Sequence, residues 1–438
     1  MQPTLGSPSN PIPSATGEVD ASLDKRWWGL LPAVFVTYSL AYLDRANFGF
    51  GAAAGMAATL HITQKDTSLL GALFFLGYFS FQVPGVLLAR RYSLSRAVFV
   101  ALIAWGSFAA LTGVIHSFWL LALDRFLLGL AESLIFPVML LLLTRWFTRA
   151  ERARANTILI FGNPITVLWM SAITGFLIQR FGWQRTFILE GLPSILWAPI
   201  WLATVRDQPR GARWLSPAAA AVLEQRLADE QLAVAPIAAI RSALLRPDVL
   251  VLSILYFFWS LSGYGFILWM PSIIRLGSGV TIAQTGLLSM LPYLAAILLM
   301  FLVGTIADRT QRNRTLVWCF LLLSGIALTG SALIAQRSFP LALIGLVLGG
   351  GCLYAPYGSL FAIVPQRIPR NLTAEVFILI NSVGALGGFC GAYFVGALQA
   401  ATGSSRASFF LMSASILIAS AMMFLLPDSP STAINHDV

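Results

Sequence analysis

Four charged side chains stand in two stretches that are otherwise almost wholly apolar: Asp44 and Arg45 in the first, Arg125 and Glu132 in the second. Near the centre of a bilayer each such charge costs about 2.5–3.5 kcal/mol on insertion scales, so together they point to a path for a charged solute and for protons. Tyr38, Tyr42 and Arg45 fall at i, i+4 and i+7 and share one helical face. An arginine fork suits a carboxylate, and tyrosine hydroxyls add neutral hydrogen bonds around it. The expectation is that Arg45 holds the carboxylate of a solute, with Tyr42 and Tyr78 beside it. Arg125 and Glu132 lie about 10.5 Å apart along one helical face. That is too far for a direct bond, so each needs a partner on another helix, and Asp44 is the candidate for Arg125. Burial disfavours the charged carboxylate and a nearby arginine favours it, so movement relative to Arg125 would switch proton affinity. Asp44 and Glu132 are therefore candidate proton-coupling groups, with Arg125 tuning them. The simpler readings are a static charge network and an Arg45 that only neutralises a neighbouring acid.

The elements that carry these residues follow from composition. Hydrophobic residues make up 58% of the chain and charged residues 11%, and the mean hydropathy is +0.79. This is the signature of an all-α integral membrane protein. Windows of about twenty apolar residues, the length that crosses the hydrocarbon as helix, recur twelve times. They lie near 28–48, 67–89, 97–115, 118–143, 155–178, 186–205, 249–270, 285–306, 315–335, 339–365, 373–398 and 407–426.

Basic residues crowd alternate loops at roughly three to one, which predicts both termini in the cytoplasm. The net charge of +10 is thus a topology signal, not a nucleic-acid surface. Residues 206–248 form a predicted cytoplasmic loop with a short amphipathic helix, dividing the chain into six-helix halves at 28–205 and 249–426. Residues 1–27 read as a disordered cytoplasmic tail without a signal-peptide pattern, and 427–438 as a second cytoplasmic tail. The lysines, Lys25 and Lys65, follow Asp24 and Gln64, so the chain has no phosphate-binding G-K-[ST] loop. Cys319, Cys352 and Cys390 lie in predicted spans without CxxC spacing, and His61, His116 and His436 lie in loops or the tail. No enzyme constellation, metal site or cofactor is expected, and proton coupling has to use carboxylates.

The loop after span two reads G-V-L-L-A-R-R from Gly85 to Arg91, and the loop after span eight G-T-I-A-D-R from Gly304 to Arg309. Here the chain resembles the major facilitator superfamily, whose two halves carry this signature, although Ala89 stands where the first acid usually sits. Gly85, Arg90, Gly304, Asp308 and Arg309 are the expected conformational latch, with glycines that allow close helix approach. Y-L-D-R-A-N from Tyr42, G-Y-F-S-F-Q-V-P-G from Gly77, L-D-R-F-L-L-G-L-A-E from Leu123, G-W-Q-R-T-F-I-L-E-G-L-P from Gly182 and G-Y-G-F-I-L-W-M-P from Gly263 narrow the resemblance to the anion:cation symporter family. That family is largely made of proton-coupled importers of organic anions, among them sugar acids and phthalate-like acids, and the resemblance gives Asp44, Glu132 and Arg125 the coupling role.

Asn381, in N-S-V-G-A-L-G-G, matches a position that touches substrate in that family; Asn163, before Pro164, is similar. Tyr256, Tyr264, Tyr354 and Tyr357 could wall the cavity from the second half, whereas Glu190 reads as structural and Glu375 as a helix N-terminal acid. The resulting expectation is a monomeric, twelve-span importer of an organic anion in a bacterial inner membrane, driven by protons. The rivals are a proton-driven exporter and a membrane sensor that binds the same anion without moving it.

Overall fold

The computed structural model describes residues 23–231, 242, 244–368 and 372–426, and every regular element in it is helical. Ten of the described helices are long and apolar enough to cross a membrane. One of them, Arg154–Thr204, contains two spans. It turns back at Gly182, whose φ of 78° and ψ of 162° are not helical and which a side chain would strain. Leu31–Ala53 supplies the twelfth span; Asp44, Arg45 and Asn47 make it more polar than the rest.

The spans are α1 (Leu31–Ala53), α2 (Gln64–Tyr92), α3 (Leu94–Thr112), α4 (Phe118–Trp146), α5 (149–181), α6 (183–204), α7 (Pro247–Ser278), α8 (Ile282–Thr310), α9 (Asn313–Ile334), α10 (Phe339–Arg367), α11 (Thr373–Thr402) and α12 (Ser405–Met422). Most extend past the apolar windows because caps and charged ends continue the helix into the boundary. Thr63 and Asp66 close α2 with a reciprocal capping box, as Thr281 and Gln284 do for α8. Spans five and six have no loop between them beyond Gly182, where the sequence suggested a gap of several residues.

α1 to α6 form one six-helix bundle and α7 to α12 the other. Between them α2 packs on α11, α5 on α8 and α1 on α7. Residues 23–29 are already helical, although the sequence suggested a tail there. Leu23 and Arg26 are buried; Arg26 donates to the Trp146 carbonyl and pairs with Glu151, which holds this segment against the first bundle. The remaining tail residues, 1–22 and 427–438, lie outside the described residues. The central segment carries a helix at Pro217–Gln231. Its Asp207 accepts from the backbone N–H groups of Leu94 and Ser95 at 3.0 and 2.7 Å, capping α3 from more than a hundred residues away.

Two kinds of detail set the interior. Helices cross at glycines where backbone meets backbone: a Cβ on Gly129 would lie 1.8 Å from the Phe74 carbonyl oxygen, and one on Gly77 would lie 2.0 Å from that of Phe126. This reciprocal contact presses α2 against α4. Two spans are also broken. α4 is interrupted between Glu132 and Ile135, and α10 between Tyr354 and Tyr357, corresponding places in the two halves. Pro137 and Pro356, which have no N–H to donate to the preceding turn, stand at these interruptions.

Replacing Gly129 by leucine is expected to separate α2 from α4 or prevent folding, at a cost of at least about 1–3 kcal/mol. Thermal unfolding of the detergent-purified variant should show a lower midpoint; an unchanged midpoint would contradict the contact.

Candidate functional site

α1 places the charges. From Ala41 to Gly51 every residue is buried, because α1 lies between its own bundle and α7 and is enclosed on all sides. A charge anywhere on this stretch must be met by protein. The Arg45 Nε donates to Glu132 Oε1 at 2.6 Å, and its Nη2 reaches the same oxygen. Glu132 is fully buried at the break in α4, and its second oxygen, Oε2, has no hydrogen-bond partner. The third guanidinium nitrogen, Nη1, donates to the Tyr264 hydroxyl on α7 at 3.2 Å. The rings of Tyr42 and Tyr78 each stand 4.7 Å from the guanidinium carbon, and that of Phe74 stands 5.6 Å away. Cation–π contact on several sides partly replaces the hydration the arginine has lost.

Tyr42 and Tyr78 therefore do stand beside Arg45, but the guanidinium is occupied by Glu132. The simpler expectation, that Arg45 neutralises an acid, describes this state. Arg125 differs from expectation as well. It makes no hydrogen bond to Asp44; its Nε is unpartnered, and it lies over the Phe48 ring at 4.4 Å. Phe48, one turn beyond Asp44 on α1, offers a face where the carboxylate was expected. Both Asp44 oxygens are buried without a hydrogen-bond partner.

Arg45, Tyr78, Tyr256, Tyr264 and Asn381 line one small cavity between the bundles, together with Phe75, Ser260, Gly384 and Ala385. The last four were missed by sequence reasoning, yet they lie one helical turn from residues it named: Phe75 from Tyr78, Ser260 from Tyr264, Gly384 and Ala385 from Asn381. The Nδ2 of Asn381 is unpartnered. Tyr357 does not line the cavity; its hydroxyl is bonded to that of Tyr256 behind the wall. Asn163 is buried on α5 with an unpartnered Oδ1 and is outside this lining. The cavity holds about 10 Å³, room for a single water.

Contacts between the bundles flank it on both sides. Towards the arginine-rich end, Ser382 donates to Gln82 at 2.5 Å, and Arg90 pairs with Glu375 at 3.4 Å. Towards the other end, Arg275 of α7 donates to the Ala53 carbonyl at the close of α1. The site is occluded. Of the expected latch residues, Arg90 pairs across the bundles with Glu375 of α11, while Asp308 and Arg309 are exposed and form no ion pair among the described residues. Gly304 has open space where a Cβ would stand, so it mediates no close approach, whereas Gly85 packs against Phe81 and Leu134. Among the described residues no three His, Cys, Asp or Glu side chains gather to hold a metal ion.

The sequence pattern of the Major Facilitator Superfamily matches residues 34–392, and the chain belongs to that family of multi-pass membrane transporters. It is 30% identical to the "Quinolone resistance transporter" of Acinetobacter baumannii, over 91% of this chain and 93% of that one. It is 28% identical to a "Putative tartrate transporter" of Agrobacterium vitis, over 96% and 94% of the two chains. The crystal structure of a D-xylose-proton symporter shares the fold at a TM-score of 0.74 and 12% identity, over 92% of this chain and 98% of that one.

Removing one member of the buried pair leaves the other uncompensated, at a cost of about 3–5 kcal/mol. Glu132→Ala should therefore lower the thermal midpoint sharply, and adding Arg45→Met to it should recover much of the loss. A double variant no more stable than Glu132→Ala would show that the two side chains are not energetically coupled.

Proposed function

We propose that the protein imports an organic anion together with protons, as a member of the anion:cation symporter branch, with both termini in the cytoplasm of a bacterial inner membrane. The observation that carries this reading is that Arg45 is held by Glu132 alone among carboxylates, inside a cage of tyrosines drawn from both halves. A solute carboxylate that enters must compete with Glu132 for one guanidinium. When it wins, Glu132 is left buried without its cation, and taking up a proton is the least costly way to remove the charge. Its unpartnered Oε2 is the atom available for that proton. Solute binding and proton binding are thereby the same event, which is what symport requires. Return of Glu132 to Arg45 after the proton leaves would expel the solute on the other side.

In this scheme Tyr42, Tyr78 and Tyr264 orient the carboxylate, Tyr256 and Asn381 meet the body of the solute from the second half, and Tyr357 braces Tyr256. Asn163 would contact a larger solute from α5. Asp44 and Arg125 set the electrostatic surroundings of Glu132, and Arg90 with Glu375 holds the inner side closed. The resemblance to a tartrate transporter agrees with a carboxylate as cargo. The resemblance to a quinolone resistance transporter favours a second reading, proton-driven export of a carboxylate-bearing compound through the same pair.

The test is uptake by reconstituted vesicles of sugar acids and aromatic carboxylates under an inward proton gradient, with and without a protonophore. Accumulation of one acid, collapsing with the protonophore, is expected; accumulation only under the reversed gradient would select export. Glu132→Gln should abolish gradient-driven accumulation yet retain exchange of labelled for unlabelled acid. Arg45→Lys, which loses the planar fork, should weaken apparent affinity by about 10- to 100-fold. Unchanged affinity in Arg45→Lys would remove Arg45 from the solute site.

A further inference from the structure

The buried charges of the spans do not balance in pairs. Among the described residues, Asp44, Asp124, Glu132 and Glu190 face Arg45 and Arg125 in the interior of the first bundle. Glu132 is paired with Arg45. Asp124 adjoins Arg125 in sequence and accepts from the Thr112 hydroxyl at 2.7 Å. Asp44 and Glu190 remain, with no cation within ion-pair distance of either.

Glu190 lies on α6, away from the central cavity. Its Oε2 accepts from Asn47 Nδ2 at 3.1 Å and its Oε1 from the Thr174 hydroxyl at 2.6 Å. Asn47 stands one turn beyond Asp44 on α1 and bonds Glu190, while both Asp44 oxygens have no hydrogen-bond partner. The oxygen of that amide, Asn47 Oδ1, is buried without a donor. The amide can therefore serve Glu190 in either charge state. As it stands, Nδ2 donates to a carboxylate; turned over, Oδ1 accepts from a protonated one. A purely structural acceptor has no use for the second arrangement. Charged and titratable groups near Glu190 are few. α1 contributes Asp44 and Arg45. α3 and α5 carry theirs only near their ends, and Arg185 of α6 is exposed.

We infer that Glu190 is a proton-carrying group of the transport cycle, holding a proton in addition to the one exchanged at Glu132. This rests on the symport reading above. The step is a protonation only: an O–H bond forms at Glu190 when a proton is taken from water on one side of the membrane. It breaks when the proton is returned to water on the other, leaving the carboxylate to Asn47 and Thr174. An uncompensated acid in a low-dielectric interior makes such loading the economical state, and Asn47 ties Glu190 to α1, the helix that carries Asp44 and Arg45.

Two measurements decide it. The first needs no solute: infrared spectra of the protein in lipid should contain the carbonyl band of a protonated carboxylic acid that disappears in Glu190→Gln and persists in Glu132→Gln. The second uses the acid accumulated best in the uptake panel. Glu190→Gln should lower the proton-to-solute ratio by one and so cut steady-state accumulation about tenfold for each pH unit of imposed gradient. Should Glu190→Gln fail to fold, Thr174→Val and Asn47→Ala keep the acid and must shift its band by removing its hydrogen bonds. Absence of any such band, or an unaltered proton ratio in folded Glu190→Gln, overturns the inference. If the wild-type protein accumulates no acid at all, the symport reading fails, and the infrared result still decides whether Glu190 carries a proton.

Discussion

A salt bridge sealed inside an apolar protein is the constraint around which the rest is arranged. Arg45 and Glu132 each lose their hydration, and their attraction repays that loss only with good geometry and further contacts. The surroundings supply them. Tyr264 accepts one hydrogen bond, aromatic faces cover the guanidinium, and the break in α4 falls immediately after Glu132. Close approach at Gly77, to the Phe126 carbonyl, and at Gly129, to the Phe74 carbonyl, brings α2 against α4, so that Phe74 and Tyr78 on one helix and Glu132 on the other reach the same arginine. Packing between small residues thus serves the electrostatics, in a medium where apolar burial gives helices little reason to associate.

The two halves share an architecture and divide the chemistry. Both interrupt their fourth helix, at Glu132 in the first and around Pro356 in the second. Among the described residues, the first buries charges in the middle of its spans, whereas the second buries Asp248 in the first turn of α7, paired with Arg246, and brings the neutral Tyr256, Tyr264, Ser260 and Asn381 to the cavity. A charged pair confined to one rigid bundle can persist while the other bundle moves, and the neutral groups opposite can engage or release it through single hydrogen bonds. The Tyr264 contact to Arg45, at 3.2 Å, is of this kind.

Much of this was legible in the sequence, for identifiable reasons. Length and apolarity alone determine a spanning helix, so all twelve spans could be placed, and a charge inside one is costly enough to mark Asp44, Arg45, Arg125 and Glu132 without further help. Partners were not legible. Pairing depends on which face of a neighbouring helix arrives, and nothing in the order of residues shows that Phe48 takes the face of Arg125 or that Glu132 reaches Arg45 across the bundle. The arginine-rich loops named Arg90 and Asp308 for a latch without showing the partner: Arg90 meets Glu375 at the start of α11, and Asp308 forms no ion pair among the described residues. One signal was overlooked. Pro137 and Pro356 sit shortly after apolar stretches in corresponding spans, and matched interruptions point to a binding region.

Several of the polar atoms left unsatisfied gather around the site. Both oxygens of Asp44, Oε2 of Glu132, Nε of Arg125 and the amide of Asn381 are all buried without partners, and all lie on helices that meet at the interface between the halves. Each such group costs roughly 1–3 kcal/mol, more when charged. Well-packed apolar residues in place of the ion pair would be no less stable. Acids nearer the ends of the spans, Asp207, Glu151 and Asp66, are met by hydrogen bonds, whereas Asp44 is met by none. The unsatisfied atoms become economical once the occluded state is one stage of a cycle. On the symport reading proposed above, the valences left open here are those that a solute and its protons would fill at another stage.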